Sequence, residues 1–341
     1  MRTLLLAALL SLCAALPAYA VPFTGIYFFG DSLTDTGNVT ATYATLSHPP
    51  GAPATIPGSP YFNGRASNGP LYADVLAAGL GFSASASATG GNNFAFGGAR
   101  TRYQLFGPPY LGLIDQVAQY RARPGPADPN ALYVVWGGAN NLQDILVGRT
   151  TDPLGRPIPG IGGTLGDIGG LLASLYAEGA RYLLVPNVPN LGRVPRIREA
   201  GPAAIGAGTF LAQTFNFGLT GLLDSFAASH PDATLIRFDT FSAFEGIVAN
   251  AASLGLTNLT DRCYTGDDLG FTGGGSVCSN PDSYLFWDGI HPTAFAHNIL
   301  GQEMLAVALA APEPATIATV ALGLMLLGLQ RRGRRSAMRG A

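Results

Sequence analysis

Charge is scarce in this 341-residue chain: Asp, Glu, Lys and Arg together make up 12%, and the formal net charge is −2. Without a basic surplus to gather phosphates, nucleic acid and other polyanions are argued against as the main partner. No segment repeats at a fixed period, which excludes repeat architectures. Glycine (46) and proline (25) recur without period, which sets aside a collagen-like or disordered chain and predicts many loops. Cysteine is limited to Cys13, Cys263 and Cys278. Hydrophobic residues, by contrast, make up 48% of the chain, enough core for one large domain or two ordinary ones.

The two ends read as processing segments. Arg2, the apolar run from Leu4 to Leu16 and the small-x-small Ala18-Tyr19-Ala20 make a secretory signal peptide of residues 1–20, and Cys13 leaves with it. At the other end Pro312-Glu313-Pro314 precedes an apolar run from Ala315 to Leu329, then Arg331, Arg332, Arg334 and Arg335. The run is short for a full span, and the basic cluster makes a good inner stop. This tail, residues 312–341, resembles the PEP-CTERM sorting signal of Gram-negative bacteria. The resemblance implies an exosortase-type processing enzyme acting after signal peptidase, with transient membrane association through the tail. Left uncut, residues 315–329 would anchor the chain. The expected address is the periplasm, the cell surface or the extracellular matrix.

Between these ends the chain is organised around Ile26-Tyr27-Phe28-Phe29-Gly30-Asp31-Ser32-Leu33-Thr34-Asp35-Thr36-Gly37-Asn38. A short apolar run of strand formers stops abruptly in small, polar, turn-favouring residues. Ser32 then stands at the C-terminal tip of a buried strand, where open α/β sheets place their ligands. Far along the chain, Trp287-Asp288-Gly289-Ile290-His291-Pro292-Thr293 puts a carboxylate three residues before a histidine. A serine hydroxyl is a weak nucleophile until a base takes its proton, and the base needs a partner to fix its tautomer. His291 and Asp288 can supply both from one turn. The alternative is that Asp288 caps a helix opening near Pro292.

Together these residues resemble the GDSL, or SGNH, family of esterases and lipases. Gly30-Asp31-Ser32-Leu33 carries the family's name, and Asp288 to Thr293 is similar to its terminal Asp-x-x-His block. Asn93-Phe94-Ala95-Phe96-Gly97-Gly98-Ala99 is similar to its glycine block. Trp136-Gly137-Gly138-Ala139-Asn140-Asn141 is similar to Gly-x-Asn-Asp, with Asn141 where the family usually has Asp. The resemblance runs from about Thr24 to Ala311 and implies an α/β fold, a flavodoxin-like three-layer α/β/α sandwich on a mainly parallel central sheet. It implies Ser32, Asp288 and His291 as catalytic residues, and an oxyanion hole of the Ser32 N–H, the Gly98 N–H and the Asn140 side chain. Gly97 is nearly as good a candidate as Gly98. No metal and no organic cofactor is needed. Leu33 and Thr34 follow the serine, so the Gly-x-Ser-x-Gly elbow of α/β-hydrolases is not supported.

The remainder alternates: helix 71–80, strand 131–136, helix 165–177 closed by Gly179, strand 181–187, helix 203–229, strand 233–239 and a closing helix after Pro292. Such alternation implies a parallel sheet with helices on both faces, in one catalytic domain of residues 21–311. Stretches 39–63 and 150–164 lack periodicity and read as long loops, which at strand tips shape substrate pockets. Arg65 reads as a structural ion pair or cap, His48 as solvated, His230 as ending a helix, and His297 as structural. In an exported protein Cys263 and Cys278 read as one disulfide pinning the loop 261–281, worth about 3 kcal/mol in the chain-entropy model. Asp267, Asp268 and Asp282 read as a solvated acidic loop, because their spacing does not match an EF-hand.

The expected function is hydrolysis of a carboxylic ester (lipid, small ester or acylated glycan) through an acyl-enzyme on Ser32. Deacetylation of, or acyl transfer to, an exopolysaccharide keeps the chemistry and changes the acceptor. A matrix protein binding polysaccharide on an inactive hydrolase scaffold is the reading from another class. The joint presence of Ser32, Asp288, His291 and Asn140 opposes it.

Overall fold

Phe28 and Phe29 are neighbours in an extended strand, so their side chains leave it on opposite sides. That alternation builds the layers. The computed structural model describes residues 23–105 and 109–311. Strands β1 (Ile26–Gly30), β2 (Leu132–Trp136), β3 (Tyr182–Pro186) and β4 (Thr234–Phe238) form a parallel sheet in that spatial order. β2 and β3 are buried throughout, as unbroken apolar runs in a parallel sheet should be.

In chain order the helices are α1 (Asn38–Tyr43), α2 (Tyr72–Gly79), α3 (Leu113–Arg121), α4 (Ala139–Leu146), α5 (Ile161–Glu178), α6 (Pro195–Glu199), α7 (Pro202–Ser229), α8 (Thr240–Ala249) and α9 (Ala294–Leu309). Phe28 meets Tyr72 of α2 with ring centroids 6.4 Å apart, whereas Phe29 meets Tyr120 of α3 at 5.6 Å. Helices therefore cover both faces of the sheet, the expected three-layer arrangement. α9 closes the α2 face, where the Tyr72 N–H donates to Nδ1 of the fully buried His297 at 3.3 Å.

The sheet does not end at β1. Segment 92–96 runs parallel along its other edge: the Phe28 N–H donates to Asn92 O (3.1 Å), Phe94 N–H to Phe28 O (2.8 Å) and Phe96 N–H to Gly30 O (3.2 Å). The chain leaves β1, returns on one side at 92–96, then crosses to the other side at β2. Connections that diverge in this way open a crevice at the strand's C-terminal end. Ser32 sits there, with Gly97-Gly98 beyond one neighbour and Asn140 beyond the other.

Several expected boundaries move. The stretch 39–63 begins inside α1, whose first N–H groups are held from outside by Asp35: Oδ1 accepts from Gly37 (2.8 Å) and Asn38 (2.6 Å), Oδ2 from Val39 (3.1 Å). A six-residue helix fixed by a preceding carboxylate leaves no periodicity to read. α5 starts at Ile161, inside the expected second loop. A parallel pair, β5 (Asn258–Arg262) and β6 (Tyr284–Phe286), was not expected, since Asn-Leu-Thr-Asp-Arg carries no alternation. This pair frames the loop in which Cys263 and Cys278 are joined, with Cα atoms 4.8 Å apart. Among the described residues no helix is long and apolar enough to cross a membrane. The expected signal peptide (1–20) and sorting tail (312–341) lie outside the described residues.

Candidate active site

The turn Asp288–His291 folds around its own carboxylate. Asp288 Oδ1 accepts the N–H groups of Ile290 (2.8 Å) and His291 (2.7 Å), while Oδ2 faces His291 Nδ1 at 2.7 Å. His291 Nε2 lies 2.9 Å from Ser32 Oγ, across 259 residues of sequence. The three predicted catalytic residues are thus brought into one hydrogen-bonded line. The helix-cap alternative for Asp288 does not hold, because α9 begins only at Ala294, where Thr293 Oγ1 accepts the Ala296 N–H at 3.4 Å. Burial alone would raise the Asp288 carboxyl, but the charge and hydrogen bonds of His291 and the backbone N–H groups outweigh it. The carboxyl ends below the usual range and stays ionised.

The turn is clamped from outside as well. Gly289 N–H donates to Asp268 Oδ2 (2.7 Å), and Gly289 O accepts from the Arg196 N–H (2.9 Å). A Cβ at Gly289 would lie 2.2 Å from Asp268 Oδ2, so only glycine admits this approach. Asp268 is itself buried between the guanidinium groups of Arg196 (2.7 Å) and Arg262 (3.2 Å). This corrects the expectation of a solvated acidic loop at Asp268. Among the described residues no cluster of His, Cys, Asp and Glu is arranged to hold a metal ion.

Gly97 and Gly98 of the glycine block line the same cleft as Ser32. The Gly97 N–H is committed to Asp35 Oδ2 at 2.8 Å, whereas the Gly98 N–H makes no hydrogen bond to another described group. The two glycines, nearly equal in sequence, are thereby distinguished. Gly98 has φ +77°, and its carbonyl accepts from Arg100 Nη1 at 2.7 Å, which fixes the peptide's orientation. Arg100 is held in turn by two bonds to Asp144, at 2.8 and 2.9 Å, both side chains being buried. Asn140 lies in the first turn of α4 and gives one amide hydrogen to Ala99 O (3.0 Å), leaving the second for the cleft it lines. Beside it, Asn141 is buried, accepts the Thr101 N–H at 3.1 Å and donates to Thr101 Oγ1 at 3.3 Å. That hydroxyl already donates to Asp167 Oδ2 at 2.7 Å, so a carboxylate at position 141 would find no proton there. The departure from Asp at this position has a local reason.

Around the serine runs a cleft with about 820 Å³ of atom-free space, part of it open to solvent. Val39, Ile56 and Ala66 supply apolar wall, and Leu269 and Phe271 supply more. Arg65 is not a wall of this cleft; it makes two 2.7 Å bonds to Asp74, whose Oδ2 also accepts the Leu71 N–H at the start of α2. His48 Nε2 lies 2.9 Å from Tyr43 O, and His230 ends α7 stacked on Phe226, so neither belongs to the site. Four side chains that support the site were not assigned to it in sequence. Tyr61 donates to Asp288, Arg196 and Asp268 clamp the turn, and Gln116 bonds both backbone groups of Gly30 (2.9 and 2.8 Å). Only Asp268 had drawn attention, as part of an acidic loop.

Asp31, next to the serine, is almost fully buried, and its side chain accepts the Leu33 N–H at 3.0 Å. Burial pushes its carboxyl up to about 6, against the pull of that N–H and of the His291 and Arg100 charges. From about pH 4 to pH 6 the unfolded chain gives up this proton and the folded chain keeps it, so stability falls across that window and stays lower above it. Asp31→Asn keeps an acceptor for Leu33 without the buried charge. Urea melts should show it gaining on the order of 1–3 kcal/mol over wild type at about pH 7.5 and almost nothing at about pH 4. An equal gain at both would assign the effect to packing.

Against known proteins, a family model described as GDSL-like Lipase/Acylhydrolase matches residues 26–304. An acetylesterase of Thermothelomyces thermophilus is 30% identical over 288 residues, covering 80% of this chain and 84% of that protein. Acetylajmalan esterase 2 of Rauvolfia serpentina is 28% identical over 333 residues, covering 83% of this chain and 90% of that protein. A solved structure of a lipolytic G-D-S-L family member from Veillonella parvula superposes with a TM-score of 0.40 at 12% identity, over 83% of this chain and 97% of that one.

Proposed function

We propose, for a chain that belongs to the GDSL-like lipase/acylhydrolase family and is a serine carboxylic ester hydrolase, that Ser32 is the nucleophile, His291 the base and Asp288 its orienting carboxylate. The observation that carries this assignment is the unbroken line from Ser32 Oγ through His291 to Asp288, at 2.9 and 2.7 Å. Ser32 Oγ attacks the ester carbonyl carbon as its proton passes to His291 Nε2, and Asp288 stabilises the imidazolium. The N–H groups of Ser32 and Gly98 and the Asn140 amide take the charge that develops on the carbonyl oxygen. Collapse expels the alcohol, which takes the proton from His291 and leaves acyl-Ser32. Water, deprotonated by His291, then attacks the acyl carbon, and the carboxylic acid departs with the serine restored.

For the acyl group we propose acetyl, borne on a small ester or an acylated glycan. The names of the acetylesterase and acetylajmalan esterase relatives support it. We further propose that the chain is exported: residues 1–20 are cleaved, Cys263 and Cys278 oxidise, and the PEP-CTERM tail directs processing at the cell envelope. The two cleavages rest on the sequence patterns of the ends, and the disulfide is supported by the 4.8 Å approach of the Cys263 and Cys278 Cα atoms.

One experiment tests both levels. The secreted protein is treated with a fluorophosphonate probe and analysed by intact and peptide mass spectrometry, with Ser32→Ala as control. The expected result is a single adduct on Ser32, an N-terminus at Val21, loss of the C-terminal tail and a mass lower by two hydrogens for the disulfide. A folded protein that takes no label would point to a binding protein. Label with an intact tail would keep the enzyme and remove the sorting proposal.

A further inference from the structure

The Asp288 carboxylate has four hydrogen-bond partners, and three belong to its own turn. The exception is Tyr61, 227 residues away in sequence, whose hydroxyl donates to Oδ2 at 2.8 Å. That is the oxygen that faces His291 Nδ1 at 2.7 Å. Tyr61 is not among the residues lining the cleft, and its hydrogen bond to the catalytic line is the one to Asp288. Its ring is held edge-on by Phe271 (5.2 Å), Tyr264 (5.5 Å) and Trp287 (6.2 Å), in a buried cluster that includes Cys263.

We propose that Tyr61 is a positioning residue of the esterase, fixing the Asp288 carboxylate that in turn fixes His291; the proposal rests on the catalytic assignment above. The two donors on Oδ1 tie the carboxylate only to its own turn. The Tyr61 hydroxyl ties the opposite oxygen to a separate part of the molecule. Four donors fill the acceptor sites of an ionised carboxylate, so the Oδ2–Nδ1 contact has one geometry available. Burial and the neighbouring Asp288 charge hold the phenol well above its usual range, and it remains a donor at any working pH. A donor to Oδ2 also draws charge from the oxygen that stabilises the imidazolium. Its loss should leave more negative charge on the oxygen that faces the imidazolium.

Tyr61→Phe keeps the ring and removes only the hydroxyl. Against a p-nitrophenyl acetate substrate the variant should lose about tenfold in kcat with KM unchanged, and the acid limb of the kcat/KM–pH profile should move to higher pH. The other titratable and charged groups around Tyr61, Asp288 and His291, namely Asp31, Arg262, Tyr264, Asp268 and His297, are unaltered, so the moved limb reports the lost donor. Tyr264→Phe is the control: it removes a buried hydroxyl that has no hydrogen-bond partner from the same cluster, and kcat and the acid limb should stay in place. A folded Tyr61→Phe with wild-type kcat, a change confined to KM, or a fall in kcat with the limb unmoved would each overturn the proposal. Failure of the catalytic assignment itself would show separately, as probe labelling away from Ser32.

Discussion

Ser32→Ala should lower kcat for p-nitrophenyl acetate by roughly five to six orders of magnitude while leaving the fold intact. The side chain is lost from a turn whose geometry is set by other groups. Gly30 is held by Gln116, and the Asn93 side chain bonds Thr34 O (2.6 Å) and Thr36 Oγ1 (3.1 Å). Ser32 Oγ makes its one hydrogen bond to His291, so its removal leaves no unsatisfied group besides an imidazole nitrogen at the cleft wall. Unfolding midpoints should therefore coincide within experimental scatter. His291→Ala should cost nearly as much activity, because the serine proton then has nowhere to go. Asp288→Asn should cost roughly ten-thousand-fold, since an amide NH2 facing Nδ1 favours the wrong tautomer. Activity within tenfold of wild type in a folded Ser32→Ala protein would end the acyl-enzyme reading.

The ends of the catalytic line were legible in sequence because each is local. An apolar run that stops at Gly30-Asp31-Ser32 shows a strand tip, and Asp288 with His291 shows a tight turn. Their meeting was not local: it rested on the resemblance of several ordered blocks, and the sheet's divergence at β1 supplies the physical reason. What stayed hidden is what acts through the backbone or over distance. Gly97 and Gly98 look alike until Asp35, many residues upstream, claims the first N–H. Asp268 read as solvated because Arg196 and Arg262, its partners, come from other elements. Tyr61 stands in a stretch of Pro, Gly and Ser with no periodicity, and nothing near it announces a partner at position 288. Residue type, spacing and the resemblance of the blocks therefore pointed to the candidate reacting groups, and only tertiary geometry revealed what holds them.

Asn140→Ala should reduce kcat by roughly 10²–10³ and leave KM nearly unchanged. The reasoning turns on when the amide is used. In the resting enzyme one Asn140 hydrogen is committed to Ala99 O at 3.0 Å, an anchor that aims the other into the cleft. A neutral ester carbonyl gains little from that second hydrogen, whereas an oxyanion beside Ser32 gains much, so the loss falls on the barrier and not on binding. The anchor also separates aim from chemistry. Asn140→Asp keeps the size but replaces the donor with a negative charge, and should fall below even the Ala variant. Arg100→Lys leaves Asn140 untouched but breaks the paired bonds to Asp144 and the contact to Gly98 O, loosening the other donor. It should slow turnover by a smaller factor and destabilise the fold, because the Asp144 carboxylate is left with one partner fewer in a buried site. If Asn140→Ala instead raised KM at constant kcat, the side chain would belong to ground-state binding, and the oxyanion would rest on the N–H groups of Ser32 and Gly98 alone.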